Sequence, residues 1–148
     1  MQTTKQDASW RAPSPFADSF FLTGATASGK TALGVAIARE LGAEIVSLDS
    51  MAVYRKMDVG TAKPTLEERG GVPHHMIDVV SPKESFSVCD YKKAAVAIVR
   101  DVLSRGKTPI VCGGTGLYIN AVTRPMSFSS QRSDEALHRQ LLELAEQE

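Results

Sequence analysis

The sequence has no surplus charge of either sign, very few cysteines and no long apolar run, and each lack removes a class of function. Its 17 Lys and Arg residues are matched by 17 Asp and Glu, for a formal net charge of +0. A neutral chain does not coat nucleic acid nonspecifically, although a local basic patch stays open. The only cysteines are Cys89 and Cys112. Neither is spaced from a histidine as a metal site requires, and Cys112, inside Pro109-Ile110-Val111-Cys112, reads as a buried, reduced thiol. No apolar stretch approaches membrane-spanning length, so no membrane partner is expected. Residues Met1 to Ser19 carry Trp10, Pro13 and Pro15 among polar residues. They lack the apolar centre of a secretory signal. Residues 1–18 are therefore read as a flexible leader, and the cytosol as the compartment. With 148 residues, 43% of them hydrophobic, the chain can bury one core, and residues 19–148 are read as one domain. No internal repeat or coiled coil is visible.

What is present is a complete phosphate-binding loop: Gly24, Ala25, Thr26, Ala27, Ser28, Gly29, Lys30 and Thr31 fit G-x-x-x-x-G-K-[ST]. The apolar run Phe20-Phe21-Leu22-Thr23 precedes it and a helical pattern to Leu41 follows, which is the strand–loop–helix context the motif needs. Its glycines let the backbone turn around an anion so that successive N–H groups point at phosphate oxygens. The helix N-terminus adds partial positive charge. Lys30 can reach the outer phosphates, and the Thr31 hydroxyl can ligate Mg²⁺.

The remaining pattern alternates strands and helices. A strand is expected over Ser19–Thr23 and a helix over Lys30–Leu41, with Leu33, Ile37 and Leu41 at helical spacing and Gly42 as its stop. A strand over Glu44–Leu48 ends at Asp49-Ser50. A long polar connection with several Pro and Gly residues runs from Arg55 to Phe86, and connections this long are usually functional. A helix from Val88 to Arg105 opens on the capping pattern of Ser87 and Asp90, with Tyr91, Ala95, Ile98 and Val102 as its buried stripe. A strand over Thr108–Cys112 leads to Gly113-Gly114-Thr115-Gly116, then a short helix over Leu117–Val122. Ser133–Gln147 reads as an amphipathic helix with Leu137, Leu141 and Leu144. Such alternation implies a parallel sheet with ligands at the carboxyl ends of its strands. That rule gathers the phosphate loop, Asp49-Ser50 and Gly113-Gly114-Thr115 at one rim.

At that rim Asp49 can act as a general base or reach Mg²⁺ through water, or it can cap a turn. Thr115 can hydrogen-bond a substrate or cap the next helix. His74 and His75 are adjacent and so cannot bind one metal from one helix face; one of them can line the cleft. Lys63 either meets a phosphate or is solvated. Met51, Val53, Met57, Met76 and Tyr118 read as packing. The loop alone fits kinases, NTPases and diphosphate-releasing transferases alike. The strand over Thr108–Cys112 ends without an acid, which disfavours an NTPase of the usual switch type.

Four segments, in order, resemble the tRNA dimethylallyltransferase family. Gly24 to Thr31 is similar to its GPTASGKT loop, with Ala25 in place of the proline. Asp49 to Pro64 is similar to its DS-x-x-x-Y-x-x-MDIGTAKP segment. Val72 to Asp78 is similar to its PHHLID segment, and Gly113 to Tyr118 to its GGTGLY. The resemblance covers Phe20 to about Val122. It implies a P-loop nucleoside-triphosphate-hydrolase-like α/β fold, a parallel sheet with flanking helices, incomplete at the C-terminus because members of the family are longer. It implies transfer of a dimethylallyl group from dimethylallyl diphosphate to N6 of an adenine beside the tRNA anticodon, with diphosphate leaving and Mg²⁺ as cofactor. In that reading the loop holds the diphosphate, Asp49 and Thr115 are catalytic, and Asp49, Ser50, Met51, Ala52 and Thr115 contact the tRNA anticodon loop. A monomer is expected. His138 falls where the family has an arginine, so that role is not carried over. The alternatives are a diphosphate-binding fragment without catalysis, a prenyltransferase acting on free adenylate, and a small-molecule kinase.

Overall fold

The computed structural model describes residues 14–124 and 135–145, and the expected leader up to residue 13 lies outside them. Strands β1 (Phe20–Thr23), β2 (Glu44–Leu48), β3 (His74–His75) and β4 (Pro109–Gly113) form one parallel sheet in the order β1-β4-β2-β3. The helices are α1 (Lys30–Leu41), α2 (Leu66–Arg69), α3 (Val88–Ser104), α4 (Gly116–Thr123) and α5 (Glu135–Ala145). Each strand therefore points its carboxyl end at the same rim, as parallel crossovers require.

β2 is buried along its whole length, and its alternation sorts side chains onto two faces. Val46 and Leu48 join Val111, Tyr91, Ala95, Val99, Tyr118 and Val122 in a core under α3 and α4. Ile45 joins Ile110, Val35 and Ala38 in a second core under α1. In the larger core the rings of Tyr91 and Tyr118 stack with centroids 3.8 Å apart, and the Tyr91 hydroxyl donates to the Ser47 carbonyl at 2.8 Å. The packing role expected for Tyr118 is what the structure shows. Phe16, inside the segment read as leader, is buried in the same core.

Local signals set the helix ends. Ser87 and Asp90 form the expected capping box of α3, with both reciprocal bonds made. Gly42 takes the left-handed conformation that ends α1. Several expectations are corrected. The buried face of α1 is Gly34, Val35 and Ala38, whereas Leu33 and Leu41 are more than half exposed. The small residues sit over the sheet because α1 lies close to it: a Cβ on Gly34 would meet Leu22 at 3.4 Å. On α3 the innermost stripe runs through Val99, with Ile98 only partly buried. β1 is half open, with Phe20 60% exposed, because it stands at the sheet edge. The long connection is not structureless: it contains α2, with its own capping box at Thr65 and Glu68, and β3, which pairs Ile45 with His74 and Val46 with His75. In α5, Leu142 and Leu144 are exposed, while the side chains of Leu137 and Leu141 and the expected ends at Ser133 and Gln147 lie outside what is described.

At the rear of the sheet β2 begins with a buried carboxylate. Glu44 accepts from both terminal nitrogens of Arg105 (2.5 and 2.8 Å), from Lys107 (2.8 Å) and from His75 (2.8 Å). The Arg105 hydrogen bonds hold its carboxyl far below the usual range, against the opposing effect of burial.

Candidate active site

The phosphate loop leaves β1 and enters α1 through left-handed backbone at Ala27 (φ 62°) and Gly29 (φ 81°). Alternation of this kind turns successive N–H groups into one concavity. The first turn of α1 carries no acid to neutralise its positive end. Lys30 arches back over the loop, its ammonium donating to the Ala25 carbonyl and, at 3.3 Å, to the Ser28 hydroxyl. These two bonds hold the ammonium against the loop.

Opposite the loop, the Asp49 Oδ1 accepts from the amides of Met51 (2.7 Å) and Ala52 (3.1 Å). The turn-capping role is therefore real. Both bonds go to Oδ1, so among the described residues the Oδ2 lone pairs stay open. Thr115 stands at the N-cap position of α4 but does not cap it. Its hydroxyl oxygen accepts from the Ser50 amide at 3.1 Å, and its own amide donates to the Leu48 carbonyl at 3.1 Å. The hydroxyl hydrogen remains available to a ligand. Gly113 makes this junction possible, since a Cβ there would lie 2.7 Å from the Leu48 backbone.

These pieces line one pocket of about 800 Å³. Thr26 to Ala32 and Asp49 to Ala52 both line it, together with Ser47 and Cys112. Gly24 and Ala25, expected to bind the diphosphate as well, are not among the lining residues. Gly113, Gly114 and Thr115 close one side, while Thr61 to Pro64, Glu68, His74 and Ile77 extend the pocket along the connection before α3. The three segments expected at the rim are thus together. Val53 and Met76 are core residues as expected, but Met51 is 42% exposed at the pocket edge.

The two histidines part company because neighbours on a strand face opposite ways. His75 turns to Glu44, whereas His74 lines the pocket. The His74 Nδ1 donates to the Val72 carbonyl at 2.8 Å, which leaves Nε2 as an acceptor, and burial pushes the imidazole pKa down. Lys63 is neither solvated nor free for phosphate. Its side chain is 4% exposed, and burial opposes its charge, but hydrogen bonds to Asp58 and Asp78 raise its pKa overall. Sequence reasoning missed Glu68, Ile77 and the Glu44 cluster. For Glu44 the signal was a charge opening an otherwise apolar strand.

For a metal, Thr31 lines the pocket at the first turn of α1. Among the described residues no group of three or more His, Cys, Asp or Glu side chains could hold an ion. This donor set fits Mg²⁺ brought by a diphosphate, because that ion keeps several waters and needs few protein ligands.

A parallel sheet with a Gly-Lys-Thr loop at its rim defines a phosphate-loop α/β protein. Residues 52–148 match the family described as IPP transferase. Curated tRNA dimethylallyltransferases align closely. That of Pelotomaculum thermopropionicum is 52% identical over 120 residues, 81% of this chain and 38% of its own length. That of Caldanaerobacter subterraneus subsp. tengcongensis is 50% identical over 125 residues, 84% of this chain and 40% of its own. The full-length tRNA isopentenylpyrophosphate transferase of Bacillus halodurans superposes with a TM-score of 0.73 at 43% identity, covering 88% of this chain and 44% of that one. A eukaryotic dimethylallyltransferase captured acting on tRNA superposes with a TM-score of 0.70 at 32% identity, covering 80% of this chain and 31% of that one. The chain belongs to the IPP transferase family. It spans about two fifths of the length of the curated relatives it matches.

Proposed function

We propose that the whole protein to which this chain belongs transfers a dimethylallyl group from dimethylallyl diphosphate to N6 of an adenine beside a tRNA anticodon. One observation carries the reading: an anion cradle topped by a lysine faces a carboxylate with an uncommitted oxygen across a single pocket. An anion cradle alone would serve any phosphate ester. The facing carboxylate adds what an amine acceptor needs.

Chemically, the adenine amine attacks the first carbon of the dimethylallyl group, a C–N bond forms, and the C–O bond to diphosphate breaks. The bonding electron pair leaves with the diphosphate, where loop amides and Lys30 stabilise the growing charge. Bound at the diphosphate and held by Thr31, Mg²⁺ would supply further charge neutralisation there. An exocyclic amine conjugated to its ring is a poor nucleophile. Asp49 Oδ2 accepts its proton, while the Met51 and Ala52 amides hold the carboxylate in place. Thr115 can donate to the base or its ribose while bracing Ser50. The acceptor base has to leave its stack to enter.

The test uses the full-length protein with labelled dimethylallyl diphosphate, Mg²⁺ and an anticodon stem-loop, followed by nucleoside analysis and a melting series. Label on adenine N6, and a larger melting shift with dimethylallyl diphosphate than with ATP, is the expected outcome. A larger shift with ATP and no labelled nucleoside would turn the assignment toward a phosphate-loop kinase.

A further inference from the structure

Lys63 lines the pocket with its side chain only 4% exposed and bonded to three internal acceptors. Its ammonium donates to the Tyr54 carbonyl (2.7 Å), to Asp58 Oδ1 (2.8 Å) and to Asp78 Oδ1 (2.7 Å). An ammonium has three N–H donors, and here all three are used. Two of the acceptors lie together just after the Asp49 turn, and the third lies in the loop that follows β3. Tyr54 closes the turn that begins at Asp49, its amide donating to the Met51 carbonyl. The amide of Asp78 donates to the Ala52 carbonyl at 3.0 Å, and that of Val79 to the Val53 carbonyl at 2.7 Å. Arg55 clasps the same loop from outside, donating to the Asp78 and Val79 carbonyls. Ala52, so held, supplies one of the two amides that fix Asp49.

The backbone shows that these loops are held and not relaxed. Lys56 (φ 61°), Met76 (φ 61°) and Asp78 (φ 56°) are all non-glycine residues in left-handed conformation. Such residues persist only where the surroundings determine them. Met76 is anchored by burial, but Asp78 is 42% exposed at its side chain and depends on its bonds.

We infer that Lys63 is a positioning residue for the acceptor side of the pocket, locking the Asp49–Tyr54 turn to the Met76–Val80 loop so that Asp49 faces the phosphate loop. It acts through Tyr54, Asp78 and Ala52, and it does not bind the diphosphate. This rests on the transfer reading only in giving Asp49 the acceptor side.

The test is Lys63→Met in the full-length protein. Hydrogen exchange is followed at 49–54, 76–80 and 24–31, alongside donor binding and transfer kinetics. Exchange is expected to quicken at 49–54 and 76–80 but not at 24–31. The kcat should fall about tenfold or more, as displaced catalytic groups do, with donor affinity unchanged. If Lys63→Met does not fold, Asp58→Ala removes one exposed anchor and should give the same pattern at smaller amplitude. Weakened donor binding with unaltered exchange would make Lys63 a phosphate ligand. Faster exchange throughout, with donor binding and kcat falling together, would make it a general stability residue. No change in kcat or exchange would leave it no role. If the unaltered protein transfers no dimethylallyl group, the transfer reading falls, while the exchange and donor-binding arms still decide the positioning role.

Discussion

Asp49 does two jobs at once. One carboxylate oxygen ties down the turn that follows β2, and in the proposed reaction the other takes the proton of the acceptor. Asp49→Ala is therefore expected to lower kcat for transfer about 100-fold or more, the usual worth of a positioned base, while dimethylallyl diphosphate still raises the melting temperature. Single-turnover transfer and a melting series with the donor read the two effects separately. An unaltered kcat would remove the base role. The place of Asp49 at the rim was legible as sequence because it ends the apolar run of β2, where a parallel sheet opens its cleft. The hydrogen-bond partner of the Thr115 hydroxyl was not legible. It is an amide 65 positions away, brought close only by the pairing of β2 with β4.

At the scale of elements, the junction of β2 and β4 sets the spacing of the rim. Gly113 pairs with Leu48, and nothing larger than hydrogen fits between them. Gly113→Ala is expected to destabilise the fold by about 2 kcal/mol, the usual cost of overpacking. The strain falls on the strand that presents Asp49, so donor protection should weaken too. A denaturant midpoint and a donor titration check both, and an unshifted midpoint would mean that the strands part without cost. Helix ends were readable locally, since Ser87-x-x-Asp90 and Gly42 act within one turn. The same grammar stood at Thr65-x-x-Glu68 and Gly70, but Pro64 and the surrounding glycines masked α2 as loop. β3 had no such signal. Two histidines carry little strand propensity, and they become a strand because the open side of β2 offers partners.

Across the whole molecule, Glu44 and His74 act on stability in different pH ranges, and the capping carboxylates Glu68 and Asp90, also lowered by their Thr65 and Ser87 hydrogen bonds, share the range of Glu44. Glu44, clamped by Arg105, Lys107 and His75, has a folded-state pKa far below its ordinary 4.5. Its contribution is present above that value and lost as the pH falls beneath it. His74 has a folded-state pKa below its ordinary 6.5, through burial, so it resists protonation in the fold. Its contribution is complete above that value and declines as the pH drops through it. Melting temperature should thus be level at neutral pH, decline gently below about 6.5 and steeply below about 4.5. His74→Gln should flatten the upper limb, and Glu44→Gln should make the lower one shallower without abolishing it. A melting curve series across pH reads both, and a limb left unchanged by its own variant would acquit that residue.

The chain by itself determined the parallel α/β order, the phosphate loop, and the rim on which Asp49 and Thr115 meet it. Those features follow from hydrophobic alternation and from turn chemistry acting over a few residues. The tertiary structure decided which histidine faces the pocket, where Lys63 spends its three donors, and how α1 rotates its small residues inward. Each of these depends on contacts between stretches far apart along the chain, where packing and the demand that buried polar groups find partners outweigh any local preference.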